Sequence, residues 1–158
     1  MKNGNMIYLF DFDGTLFGQE KWEGIWKNWK LNFSKEPYFN PHDFDIRWSI
    51  LTGRPKVDKF LIWICCIVNG LFPEKIITIP TLRYPFKNDE EKFEWKLKEI
   101  QSILSDNQNI FDRQITKLVY IDNDLKTVDY LNSKRLNSGE YLAVTVSDFI
   151  NHTYNFLL

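Results

Sequence analysis

The chain has 158 residues, the length of a single domain, with a formal net charge of −1 and 44% hydrophobic residues. A chain of that length buries about 68–70% of the surface its unfolded form exposes, so disulfides and metal staples are not needed for folding. The near-zero charge gives no global basic field for nucleic acid or anionic membrane. The adjacent Cys65 and Cys66, inside the apolar run 60–68, read as buried thiols of a reducing, cytoplasmic compartment.

In chain order, Met1–Asn5 leads straight into a strand-like run, Ile7–Phe10, so no signal peptide is expected. The next segment, Glu20–Phe33, spaces Trp22, Ile25, Trp26, Trp29 and Phe33 at helical intervals. A second apolar run, Trp48–Leu51, ends at Thr52-Gly53. Val57–Val68 is apolar nearly all round and reads as a core helix. The stretch Phe60–Phe72 that contains most of it is too short to span a bilayer. Lys75–Ile79 is a third strand, closed by Pro80. Asp89–Leu104 predicts a charged helix with Phe93, Leu97, Ile100 and Leu104 on one face. Leu118–Ile121 is a fourth strand ending at Asp122, and Leu125–Leu136 follows as a helix. Tyr141–Val146 is the fifth strand. Ser147 is the expected N-cap of a last helix with Phe149, Ile150 and Tyr154 as its apolar stripe.

Short runs buried on both faces, alternating with helices, predict an α/β fold. It is a doubly wound, Rossmann-like, five-stranded parallel sheet with helices on both faces. The whole chain, 1–158, is expected to form one domain. Only a small insert, about 17–46, separates the first two strands, which leaves no room for a large cap domain. In such sheets ligands bind beyond the carboxyl ends of the strands.

The acids and glycines fall at those ends. Asp11-Phe12-Asp13-Gly14-Thr15-Leu16 places two carboxylates just past the first strand. A carboxylate is a competent nucleophile toward phosphorus and gives an acyl phosphate that water can hydrolyse. Two neighbouring carboxylates repel, so one tends to keep a proton it can donate. Gly14 permits a tight turn and a close approach by substrate.

This hexapeptide resembles the first motif of the haloacid dehalogenase-like (HAD) hydrolase superfamily. Ser49-Ile50-Leu51-Thr52-Gly53-Arg54 is similar to its second motif, through Thr52. The third is a basic residue near the start of a later helix. Lys96 is the best match, with Lys87, Lys92 and Lys98 as competitors. Val119-Tyr120-Ile121-Asp122-Asn123-Asp124 resembles the fourth motif, with Asp122 secure and either Asn123 or Asp124 as the second position. The resemblance covers about Ile7 to Asp124. A finer similarity, in the tryptophan-rich segment followed by Leu51-Thr52-Gly53-Arg54, is to the HAD branch of RNA-repair proteins.

The resemblance implies a phosphatase. Asp11 would attack phosphorus, and Asp13 would protonate the leaving oxygen and later activate water. Thr52 and Lys96 would hold the phosphoryl oxygens, and Gly53 and Arg54 would help bind substrate. Mg²⁺ would be held by Asp11, the backbone carbonyl of Asp13, and Asp122. A hard cation with oxygen ligands suits Mg²⁺, and it offsets three carboxylates beside a phosphate dianion. The expected partner is a phosphorylated small molecule or nucleic-acid end. The alternative is a non-catalytic binding protein on the same fold. Basic residues for a nucleic-acid end would be Lys21, Lys27, Lys30 and Arg54. Arg54 could instead start a helix and pair with Asp58. Trp22, Trp26 and Trp29 fit a core stripe better than a stacking platform. His42-Asp43 lacks evident partner ligands for a metal, and His152 reads as surface or packing.

Overall fold

The computed structural model describes residues 5–18, 37–105, 110–135 and 140–151. Five strands, β1 (Met6–Phe10), β2 (Trp48–Pro55), β3 (Ile76–Ile79), β4 (Lys117–Asp122) and β5 (Tyr141–Thr145), form one sheet. All pairings are parallel and the strand order is β3-β2-β1-β4-β5. The chain starts in the middle, winds outward through β2 and β3, and returns to the other side of β1 for β4 and β5. This is the doubly wound α/β architecture. Its crevice lies where the winding reverses, beyond the ends of β1 and β4.

The strands are apolar on both sides because both sides are covered. On one face Phe10, Val119 and Ile121 pack with Ile62, Cys65 and Cys66 of α1 (Lys59–Val68) and Phe149 of α4 (Val146–Ile150). On the other, Ile7, Leu9, Leu118 and Tyr120 pack with Ile100 and Ile103 of α2 (Asp89–Leu104) and Val128 and Leu131 of α3 (Leu125–Ser133). Alternate residues of β1 and β4 thus feed two cores. Cys65 and Cys66 are buried, and burial pushes their thiols up to about 11 and about 12. Among the described residues nothing forms a large cap, and no helix is long and apolar enough to cross a membrane. The Glu20–Phe33 helix, with Trp22, Trp26, Trp29, Lys21, Lys27 and Lys30, lies outside the described residues, as does His152.

Several boundaries differ from expectation for local reasons. β2 runs on to Pro55 instead of stopping at Leu51. Its register against β3 slips between Leu51, opposite Ile77, and Pro55, opposite Ile79. The extra residues form an irregularity at Thr52-Gly53-Arg54, a device that re-aims side chains at a sheet's functional edge. α1 is preceded by a 3-10 turn, Lys56–Asp58, and buries only one stripe, because a helix lying on a sheet offers one face to it. Phe60, Trp63, Ile67 and Val68 are exposed, with the first two rings stacked 5.9 Å apart. In α2 the buried positions are Phe93, Lys96, Ile100 and Ile103, with Leu97 and Leu104 at the margin. Asn88 caps this helix by accepting from the Glu91 N–H at 2.9 Å. α4 is capped by Thr145, not Ser147. The Thr145 hydroxyl oxygen accepts from the Asp148 N–H at 3.1 Å and its proton goes to the Asp148 carboxylate at 2.8 Å. Ile150 of the expected α4 stripe faces outward, 42% exposed.

Candidate active site

Asp11 is the first residue after β1, and its N–H donates to Ile121 O at 2.9 Å, which aligns the two strand ends. The turn that follows is pinned by burial of Phe12, Leu16 and Phe17. Gly14 adopts φ +73, a left-handed conformation that costs other residues strain. A Cβ there would also meet Asn123 Nδ2 at 2.8 Å. The buried Thr15 Oγ1 accepts from the Asn123 N–H at 3.1 Å, so the turns after β1 and β4 interlock.

Lys96 reaches the same point from α2. Its Nζ donates to Asp11 Oδ1 at 3.2 Å, Asp122 Oδ2 at 3.0 Å and the Tyr120 hydroxyl oxygen at 2.5 Å. Of the four candidate lysines this is the one that meets the acids. Lys87 and Lys98 are exposed, and Lys92 sits at the cleft's rim, 3.9 Å from Asp89. Burial alone would lower the Lys96 pKa, but the Asp11 and Asp122 charges and hydrogen bonds outweigh it and leave it raised. Asp11 carries the site's strongest carboxylate perturbation. Burial pushes it up to about 7, Lys96 opposes the rise, and repulsion from Asp122 and Asp13 adds to it.

Asp13 is held differently. Arg54 Nε and Nη2 donate to its two carboxylate oxygens at 2.7 and 2.6 Å, a bidentate fork. The guanidinium also lies 3.8 Å from Asp58 Oδ2 and 5.3 Å above the Phe12 ring centre. Burial works to lower the Arg54 pKa, yet its bonds to Asp13 and the Asp13 and Asp58 charges leave it raised. Arg54 lines the cleft, and two of its nitrogens, Nε and Nη2, are already engaged by Asp13. Thr52, 1% exposed, lines the cleft beside Gly53, and its Oγ1 accepts the Arg54 N–H at 3.3 Å.

Both candidates for the second position of the fourth motif line the cleft with Asp11, and each also has a structural contact. Asn123 packs over Gly14, and Asp124 caps α3, accepting from the Lys126 N–H at 3.1 Å and the Thr127 hydroxyl at 2.8 Å. Tyr120 was not anticipated. Buried completely, it donates its hydroxyl proton to Asp122 Oδ2 at 2.7 Å. Burial first, then the Asp122 and Asp11 charges, raise its pKa far above the usual phenol value. The available signal was strand alternation, which puts residues two apart on one face. His42 packs structurally. Its Nε2 accepts the Phe72 N–H at 3.1 Å and its ring stands edge-on to Trp48.

Among the described residues no three His, Cys, Asp or Glu side chains are grouped as a metal site. The oxygen donors still suit a hard cation that takes two carboxylates and a backbone carbonyl. Asp11 Oδ2 accepts no hydrogen bond among the described residues, and Asp122 Oδ1 accepts one, from the Asp124 N–H at 2.9 Å. These groups line a cleft of ≈ 630 Å³. No family profile matches the chain, and a search of curated proteins finds no match.

Proposed function

We propose that the protein is a Mg²⁺-dependent phosphatase that hydrolyses a phosphate monoester through an aspartyl-phosphate on Asp11. The observation that carries this reading is the position of Asp11: nearly buried at the end of β1, bonded to Lys96 Nζ at 3.2 Å, with Asp122, Thr52 and Asp13 lining the same cleft. Lys96 and the Thr52 hydroxyl supply donors for the phosphoryl oxygens. An Asp11 oxygen attacks phosphorus, the bond to the leaving oxygen breaks, and that oxygen takes a proton from Asp13. Asp13 then accepts a proton from water as the water attacks phosphorus. The Asp11–phosphorus bond breaks, and inorganic phosphate leaves. The Arg54 fork holds the Asp13 carboxylate at the cleft, and each transfer requires one Asp13 oxygen to leave its Arg54 donor while the other stays bonded. Asp11, Asp122 and the Asp13 carbonyl would hold Mg²⁺, which supplies charge neutralisation for a phosphate dianion among three carboxylates. The two buried thiols fit a cytoplasmic setting.

The test is turnover of p-nitrophenyl phosphate by the full chain with Mg²⁺ and with excess chelator. Metal-dependent release of nitrophenol is expected. A protein that binds phosphate esters in Mg²⁺ but never turns them over would instead be the non-catalytic form of this fold.

A further inference from the structure

The cleft has room well beyond a phosphate group, since ≈ 630 Å³ lies within the range that holds whole small-molecule ligands. Its deep end is the charged cluster around Asp11. Its outer part is lined by different chemistry. Tyr84, in the connection 80–88 between β3 and α2, lines the cleft and is 41% exposed. Phe86 stands edge-on to its ring at 5.2 Å and rests in turn on Trp95 of α2 at 6.0 Å, so the ring is propped. Leu125, the first residue of α3, lines the same cleft and is 58% exposed. The sheet order puts β3 and β4 on opposite sides of β1, so Tyr84 and Leu125 approach the site from its two flanks.

Tyr84 makes no hydrogen bond among the described residues, although Lys96 and Asp11 act electrostatically on its hydroxyl after burial and Asp89. It is therefore near the charged centre without contacting it. A ring bonded directly to the ester oxygen would sit beside the phosphate. A ring carried across a sugar reaches the outer part of the cleft, where Tyr84 stands.

We infer that Tyr84, with Leu125 on the other flank, forms a leaving-group subsite that selects phosphate monoesters of nucleosides, the base lying on the Tyr84 ring. Stacking on an aromatic side chain is tolerant of base identity, because every base has a π face. The shared chemistry is a phosphorylated nucleoside, either free or at the end of an oligonucleotide. The inference rests on the phosphatase reading of the Asp11 site.

Adenosine 5′-monophosphate and ribose 5-phosphate carry the same ester and differ by the base. The ratio of their kcat/KM values is expected to be about tenfold in favour of the nucleotide, in line with one stacked base. Tyr84→Ala should bring the ratio within about twofold of unity, and Tyr84→Phe should keep it, since the ring and not the hydroxyl makes the contact. The same ratio read as binding affinity, by calorimetry on Asp11→Asn protein, is independent of turnover. A preference in binding without turnover in wild type would sustain the subsite and sink the phosphatase reading. Turnover of both esters at equal kcat/KM, or a preference untouched by Tyr84→Ala, overturns the subsite and leaves the phosphatase reading standing. A 5′-phosphorylated oligonucleotide supplies the second arm. Higher kcat/KM on it than on the mononucleotide, lost in Tyr84→Ala, identifies a strand end as the source, and the reverse order identifies a free nucleotide.

Discussion

Arg54 grips Asp13 with two of its nitrogens, one on each carboxylate oxygen, at 2.7 and 2.6 Å. The irregular stretch of β2 that carries Thr52 therefore also fixes the second acid of the β1 turn. The side chain is only 4% exposed, lines the cleft, and has Asp58 Oδ2 at 3.8 Å.

Arg54→Lys replaces a planar fork by a point charge. It should lower kcat at least about tenfold, because general acid–base catalysis depends on placement of the proton carrier. KM should change by less than about threefold. A large rise in KM with kcat preserved would show that Arg54 binds substrate instead.

Asp11→Asn should abolish turnover by at least about 10³-fold, since an amide cannot form the aspartyl-phosphate. Its effect on folding runs the other way. The folded carboxyl titrates at about 7 against an ordinary 3.8, so the folded state holds more protons between those values. Stability of the metal-free protein then falls as pH rises from about 4 to about 7. Urea unfolding across that range should show Asp11→Asn gaining on wild type as pH rises and levelling off above about 7. A constant difference would contradict the raised pKa.

Chelator should silence activity, and Ca²⁺ should not replace Mg²⁺, because Ca²⁺ takes more ligands at longer distances. Mg²⁺ should raise the Tm of wild type and have little effect on Asp122→Ala. Full turnover in excess chelator would remove the metal from the proposed mechanism.

Tyr120→Phe deletes one hydroxyl between Lys96 and Asp122, both nearly fully buried. A buried hydrogen bond to a charged group contributes about 1.5–3 kcal/mol. Urea unfolding should register a loss of that order. Turnover should fall through kcat, since Lys96 loses one of the three groups that fix its ammonium. An unchanged unfolding midpoint would show that the hydroxyl is dispensable.

The framework was legible because β1 and β4 are apolar on both faces, β1 being followed by an acid and β4 ending in one. The sheet class and the placement of Asp11 and Asp122 follow from hydrophobic runs, whereas Thr52 lies inside a β2 that runs on to Pro55. Lys96 was distinguishable in principle. It lies three residues after Phe93 and four before Ile100, on the face α2 buries, whereas Lys98 does not. Of the two carboxylates beside Arg54, Asp58 was legible from its spacing four residues on. Asp13 was not, because it lies 41 residues away on the neighbouring strand's turn. The duty of Asp124 was hidden for another reason. A carboxylate after a strand is also a carboxylate before a helix, and here the cap claims it. The outer face of α1 misled because apolar residues all round a short helix look like a core element whichever side meets the sheet.

The sheet order has a consequence for how the protein is made. β1 is central, yet one of its two neighbours, β4, is synthesised more than a hundred residues later, and Met6 pairs with Lys117. On a ribosome β1 can pair with β2 early while its other edge waits. The bond between Thr15 and Asn123, 108 residues apart, closes only when that wait ends. Until then Asp11 stands in water without Lys96 or Asp122 and titrates as an ordinary carboxylate. Nascent chains halted before residue 117 should accordingly be open to proteases along β1 and unable to bind phosphate esters. Chains halted once residue 122 has cleared the exit tunnel should gain protease protection and phosphate-ester binding together.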